Sequence, residues 1–146
     1  MKSIKTLISF LNTVLQSQLS SSIQNLDFLK TVQDPEIASK KQSAVDVMCQ
    51  DREGAYYIVE MQVASQTGFE ARAQYYASKA YISQMNQADQ YKALKEVIFL
   101  AIADYLVFPT KKAYKSEHCT LDRQTRENDL DKIFFTLWSF PSLKSF

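Results

Sequence analysis

Apolar residues recur along the chain at two spacings, one typical of helices and one typical of strands. Residues 4–15 place apolar side chains three and four apart, which predicts an amphipathic helix with one buried stripe. Residues 69–87 combine high helix propensity with a second apolar face, so a longer helix is predicted there. Residues 26–42 contain Pro35 and polar residues, and they read as a connection with at most short local structure.

Strands are predicted where β-branched and aromatic residues cluster between turn-forming residues. The five segments are residues 43–50, 55–64, 96–103, 116–124 and 132–140. The third is continuously apolar, the pattern of a central strand that is covered on both faces. Helix, hairpin, helix, buried strand and further strands predict an α/β or α+β domain with a mixed sheet.

Composition fits one domain of 146 residues, since 46% of them are hydrophobic. The formal net charge of +1 gives no global field that would attract nucleic acid, so any such binding must use a local patch. The longest apolar stretch, residues 97–108, is far shorter than the roughly 20 residues of a membrane span. We therefore expect a cytoplasmic protein without a membrane partner.

The strand at residues 55–64, AYYIVEMQVA, has one feature that its apolar pattern does not explain. Side chains alternate across a strand, so residues two apart share a face. One face is apolar throughout, whereas the other becomes polar at Glu60 and Gln62. This polar stretch indicates either an edge that meets water or a place where chemistry is done.

The turn before this strand predicts which residue faces Glu60. A three-residue loop that ends in Gly54, with the glycine in the left-handed conformation, pairs Asp51 with Ala55. That register sets Asp46 directly opposite Glu60. Opposed side chains share a face with Cβ atoms about 4.5 to 5.5 Å apart, and two bare carboxylates at that distance repel each other.

A divalent cation would relieve this repulsion. Mg²⁺ or Mn²⁺ prefers oxygen ligands and is often held by one or two carboxylates together with water and substrate phosphate. Gln62 would stand beside the ion with a neutral amide that orients a water molecule. Hydrolysis of a phosphodiester is commonly assisted by such an ion, so the residues predict a nuclease. The alternative is an exposed face of an edge hairpin.

The segments SAVDVMCQDREGAYYIVEMQ and RAQYYASKAY resemble the PD-(D/E)XK nuclease family transposases, the Rpn-like recombination-promoting nucleases. The resemblance extends from about Leu7 to Phe140. It implies a restriction-endonuclease-like core, DNA as partner and a role in DNA recombination or transposition. It also implies Mg²⁺ or Mn²⁺ as cofactor, Asp46 and Glu60 as metal ligands, and Gln62 where many relatives carry lysine.

Departures from the family pattern leave alternatives open. Segments that usually precede and follow the family core are not seen, so residues 1–146 are expected to form one nuclease-like domain without them. A catalytically inactive remnant, or a protein-interaction module on the same scaffold, is the competing hypothesis. A homodimer is a further open alternative.

The predicted second helix carries a polar stripe beside its apolar face. Arg72, Tyr75 and Lys79 are spaced i, i+3 and i+7. If this helix packs across the polar face of the hairpin, the three residues would contact DNA phosphates, and Lys79 would supply the positive charge that Gln62 lacks. The alternative is a solvated helix flank.

Overall fold

A six-stranded mixed sheet forms the centre of the structure, a computed structural model that describes residues 4–29, 47–85 and 90–140. One helix packs on each face of this sheet. In chain order the elements are α1 (Ile4–Val14), β1 (Leu26–Leu29), β2 (Val47–Asp51), β3 (Tyr56–Gln62), α2 (Phe69–Ile82), a 3-10 helix (Tyr91–Ala93), β4 (Val97–Ala103), β5 (Lys115–His118) and β6 (Ile133–Ser139).

The strand order is β1-β2-β3-β4-β6-β5, with parallel pairing of β3 with β4 and of β4 with β6. The other neighbouring strands are antiparallel. The central place of β4 confirms what its continuous apolar sequence predicts, because both of its faces are covered. The predicted mixed α/β (α+β) sheet is confirmed, and the architecture is consistent with a restriction-endonuclease-like fold.

The hairpin between β2 and β3 has the register that its turn predicts. Gly54 has a φ of 100°, the left-handed conformation that glycine adopts without steric cost. The backbone N–H of Asp51 donates to the Ala55 carbonyl at 3.0 Å. Val47 pairs with Val59, so all four described pairs of this hairpin follow the predicted register. Asp46 lies outside the described residues.

Two apolar clusters hold the helices against opposite faces of the sheet. On the α1 side, Tyr57 and Val59 of β3 are buried with residues of α1 and β4. On the α2 side, three alanines of the helix are buried against β4. These small side chains let the backbone of α2 approach the sheet, and they are Ala73, Ala77 and Ala80. The helix therefore covers the face of β3 that bears Ile58, Glu60 and Gln62.

Two sequence predictions need correction. The segment predicted as a connection contains strand β1, which pairs with β2 through contacts such as Phe28 with Cys49. Four residues, one of them acidic, are too few to show the alternating pattern of a strand. The segment is recognised as a strand only by its pairing with β2, which lies further along the chain. The strand predicted at residues 116–124 ends at His118, and an exposed loop follows it. Among the described helices, none has the length and apolar character needed to cross a bilayer.

Candidate functional site

The carboxyl ends of three parallel strands meet at one edge of the sheet. Gln62 at the end of β3 pairs with Ala103 at the end of β4, which pairs with Ser139 at the end of β6. The backbone N–H of Asp104 extends this pairing and donates to the Gln62 carbonyl at 2.8 Å. Ligand sites of open sheets with parallel strands commonly lie outside these ends. This edge is therefore the expected position of a ligand-binding or catalytic site.

Glu60 and Gln62 are buried at this edge, although both are polar. Glu60 is 1% exposed and Gln62 is 4% exposed, because β4 pairs along the whole of β3 and α2 covers this face. Gln62 Nε2 donates to Glu60 Oε1 at 2.8 Å. The alternative of a water-facing edge hairpin is therefore wrong for these two residues. A buried carboxylate is costly unless it is paired, so the fold must supply a cation.

Arg72 supplies that cation from the first turns of α2. Its Nη2 forms an ion pair with Glu60 Oε1, and its Nη1 donates to Gln66 Oε1 at 2.7 Å. The guanidinium carbon also lies 5.8 Å from the centroid of the Tyr76 ring. Gly68, with a φ of 82°, directly precedes the helix and closes the short link from β3. This link brings the start of α2 back over the end of the strand that precedes it.

The predicted stripe on α2 divides into two environments. Arg72 points into the sheet edge and contacts Glu60 directly. Tyr75 is half exposed, and the ammonium group of Lys79 lies 5.6 Å from the centroid of its ring. The cation that the structure brings to Glu60 is thus Arg72, and the role predicted for Lys79, to supply the positive charge that Gln62 lacks, stays a prediction. The predicted phosphate contacts of all three residues stay predictions.

Tyr105 is a member of this region that the sequence pattern does not predict. It follows β4 by two residues and packs against the α2-side cluster. Its hydroxyl is buried and has no hydrogen-bond partner in the described part of the chain, and the same holds for Nε of Arg72. Burial and the nearby Glu70 carboxylate raise the pKa of Tyr105, while the Arg72 charge lowers it. A tyrosine after an apolar strand carries no sequence signal for such a position.

The donor chemistry of this edge fits a hard divalent cation. Glu60 offers carboxylate oxygen and Gln62 offers amide oxygen, the ligand types that Mg²⁺ and Mn²⁺ prefer. The two contacts to Glu60 described above both use Oε1, and neither uses Oε2. Across residues 4–29, 47–85 and 90–140, no three His, Cys, Asp or Glu side chains are grouped to hold a metal. Asp46, the other predicted ligand, lies outside these ranges.

Comparison with known families identifies the family to which this chain belongs. Residues 2–145 match the family described as PD-(D/E)XK nuclease family transposase. Searches of curated proteins and of solved structures gave no significant match. The match covers nearly the full chain, including β3 with Glu60 and α2 with Arg72. The chain therefore belongs to the PD-(D/E)XK nuclease family transposases.

Proposed function

We propose that this protein is a metal-dependent DNA endonuclease that acts in DNA recombination or transposition. The observation that carries the proposal is the buried Glu60 carboxylate beside Gln62, at the carboxyl end of a central strand. An apolar residue at this position would serve the core better, because burying a charge is unfavourable even when it is paired. Family membership supports hydrolysis of phosphodiester bonds as the chemistry.

Asp46 and Glu60 would hold Mg²⁺ or Mn²⁺ in this proposal. When bound, such an ion lowers the pKa of water and neutralises charge on a phosphate. Gln62 fixes the orientation of the Glu60 carboxylate through the 2.8 Å hydrogen bond and presents its amide to a water molecule. Lys79 belongs to the proposed catalytic group, where its ammonium would balance negative charge that develops on the phosphate.

Arg72, Tyr75 and Lys79 are proposed to bind DNA phosphates along one flank of α2. The net reaction forms a bond between phosphorus and a water oxygen and breaks one ester P–O bond, and the leaving oxygen gains a proton. Arg72 would act in this reaction in two ways, because it is paired with Glu60 and its positive charge would attract a phosphate. A cytoplasmic location and a homodimer stay predictions.

Plasmid nicking with Mg²⁺ or Mn²⁺ tests the proposal. Asp46→Asn and Glu60→Gln each remove one negative ligand with little change in shape, and we expect both to lower nicking of supercoiled DNA by about a hundredfold or more. Glu53→Gln changes an exposed carboxylate in the turn of the same hairpin and serves as the matched control. If Asp46→Asn and Glu60→Gln cut as fast as the parent, the assignment of the site is wrong.

A catalytically inactive scaffold is the second candidate, and one observation favours it. Arg72 already balances the charge of Glu60, so the buried carboxylate is satisfied without any metal ion. On this hypothesis the parent protein nicks no DNA with either ion, and Glu60→Gln changes nothing that the assay measures. Metal-dependent nicking that Glu60→Gln abolishes would exclude the scaffold hypothesis.

A further inference from the structure

Within the described residues, three buried side-chain donors at this edge lack hydrogen-bond partners: Nε and Nη2 of Arg72 and the hydroxyl of Tyr105. Nη2 forms the ion pair with Glu60, which leaves Nε and the Tyr105 hydroxyl without a polar partner. A buried polar group without a partner lowers stability, and such groups are few in native proteins. Phe in place of Tyr105 would avoid this cost and keep the ring that packs against the α2-side cluster. The hydroxyl is therefore not explained by the fold.

Arg72 is held so that one donor of its guanidinium, the buried Nε, has no partner among the described residues. An arginine has five N–H donors on three nitrogens. Two of these nitrogens are used within the protein, Nη2 by Glu60 and Nη1 by Gln66. These two partners fix the plane of the group, and Nε has no partner among the described residues. The positive charge is thus positioned in advance, with one donor free.

Arg72 and Tyr105 lie on the same side of the sheet and at the same edge. Arg72 contacts Glu60, which shares the α2-side face of β3, and Tyr105 packs against the cluster on that face. Asp104, the residue before Tyr105, is hydrogen-bonded to Gln62 through its backbone. The effect of the Arg72 charge on the pKa of Tyr105 agrees with this placement. Both donors therefore adjoin the proposed catalytic residues.

We propose that the Tyr105 hydroxyl and Nε of Arg72 together bind one backbone phosphate of DNA at this edge. An N–H of a cationic group and a neutral O–H both donate, and a phosphodiester offers acceptor oxygens with a negative charge. Binding would give these two buried donors the acceptor that they lack among the described residues. This inference rests on the proposed function and adds Tyr105 as a phosphate-binding residue.

Fluorescence anisotropy with a short labelled DNA duplex in EDTA tests this inference, because chelation of the metal separates binding from cleavage. We expect Tyr105→Phe to weaken binding by about tenfold, since a hydrogen bond to a charged group is lost. Tyr91→Phe is the matched control, because Tyr91 is an exposed tyrosine in the 3-10 helix that precedes β4, at the opposite end of that strand, and the affinity of this variant should equal that of the parent. The salt dependence should not change in Tyr105→Phe, because the phenol is neutral.

The melting temperature distinguishes a ligand-binding hydroxyl from a structural one. We expect Tyr105→Phe to melt at or above the temperature of the parent, since the substitution removes no hydrogen bond among the described residues. A lower melting temperature, or parent-like DNA affinity in Tyr105→Phe, would overturn the inference. If the parent protein binds no duplex at all, both the inference and the proposed function fail. If the parent binds and Tyr105→Phe binds equally well, the inference fails without affecting the proposed function.

Discussion

Asp51, the last residue of β2 at the hairpin turn, and Glu60, near the carboxyl end of β3, are stabilised in different ways. At the hairpin end, Asp51 accepts hydrogen bonds from the Tyr57 hydroxyl at 2.8 Å and from the Ala55 backbone N–H at 3.0 Å. All of these partners belong to the same hairpin. At the other end, Glu60 is paired with Arg72 from α2 and is fully buried. Two tyrosines repeat the contrast, since the Tyr57 hydroxyl has a partner and the Tyr105 hydroxyl has none in the described chain.

The contrast separates residues that build the fold from residues that the fold holds for another purpose. Asp51 closes the turn and fixes the register of the hairpin, so its conformation is explained by structure alone. Glu60 closes no turn, and its burial has to be offset by a cation from another element. Unpaired and strained polar groups tend to occur where a protein binds or reacts. The contrast therefore supports the proposal that the carboxyl edge is the functional end of the sheet.

The largest predicted effect on stability is at the Glu60–Arg72 pair. Arg72→Met leaves a buried carboxylate without its cation and should lower the free energy of unfolding by about 3 to 5 kcal/mol. The double variant Glu60→Gln/Arg72→Met removes both charges and should recover most of this loss. Urea unfolding at neutral pH measures both values. An Arg72→Met variant as stable as the parent would show that the pair is not the cation–carboxylate unit described above.

A smaller loss is expected at the hairpin end. Tyr57→Phe removes the hydrogen bond to Asp51 but leaves the backbone N–H of Ala55 in place, so unfolding should require about 1 to 2 kcal/mol less. Nicking should not change when it is measured well below the melting temperature. Urea unfolding and plasmid nicking on the same sample check the two halves of this prediction. Loss of nicking in a folded Tyr57→Phe protein would show that the hairpin end of the sheet also takes part in the proposed reaction.

The hairpin end also predicts a pH dependence through Glu96. Burial, and next the Asp51 carboxylate, raise the pKa of Glu96 above its ordinary value of 4.5. The folded protein then keeps this proton to a higher pH than the unfolded chain, so stability falls as pH rises above 4.5 toward the raised pKa. Glu96→Gln should therefore stabilise the protein at neutral pH and have little effect below pH 4.5. Thermal unfolding across this range would refute the prediction if the variant were less stable at neutral pH.

The smallest stability change is expected for Tyr105→Phe. Its hydroxyl has no internal partner within the described chain, so the change should lie between zero and about 1 kcal/mol in favour of the variant. The sign is opposite to that for Tyr57→Phe, although both substitutions remove one phenolic hydroxyl. Urea unfolding of the two variants side by side measures this difference. A loss for Tyr105→Phe equal to that for Tyr57→Phe would remove the contrast between the two tyrosines.

Local sequence patterns predict much of this fold. The glycine-bearing turn is enough to predict the register of the β2–β3 hairpin, since turn type and loop length determine which residues pair. The spacing of apolar residues predicts both helices, and the uninterrupted apolar run predicts the central strand. β1 is missed because a segment of four residues has little pattern of its own. Its partner strand lies about twenty residues further along the chain.

The candidate site is harder to predict from the sequence than the fold is, because its contacts join separate elements. Polar residues in β3 mark Glu60 and Gln62, but pairing with β4 is what decides that they are buried. The polar stripe on α2 includes Arg72, yet only the packing of the helix shows that this residue meets Glu60. Tyr105 has no signal, since an unpaired hydroxyl is a property of its surroundings. The predicted ligand Asp46 stays a prediction.

Calorimetric titration with Mn²⁺ tests the central claim most directly, because it measures occupancy of the carboxylate site without requiring cleavage. The account predicts that the parent protein binds Mn²⁺ and that Asp46→Asn and Glu60→Gln each weaken or abolish this binding, whereas Glu53→Gln binds as the parent does. Absence of binding by the parent, or equal binding by the parent and Glu60→Gln, would contradict it.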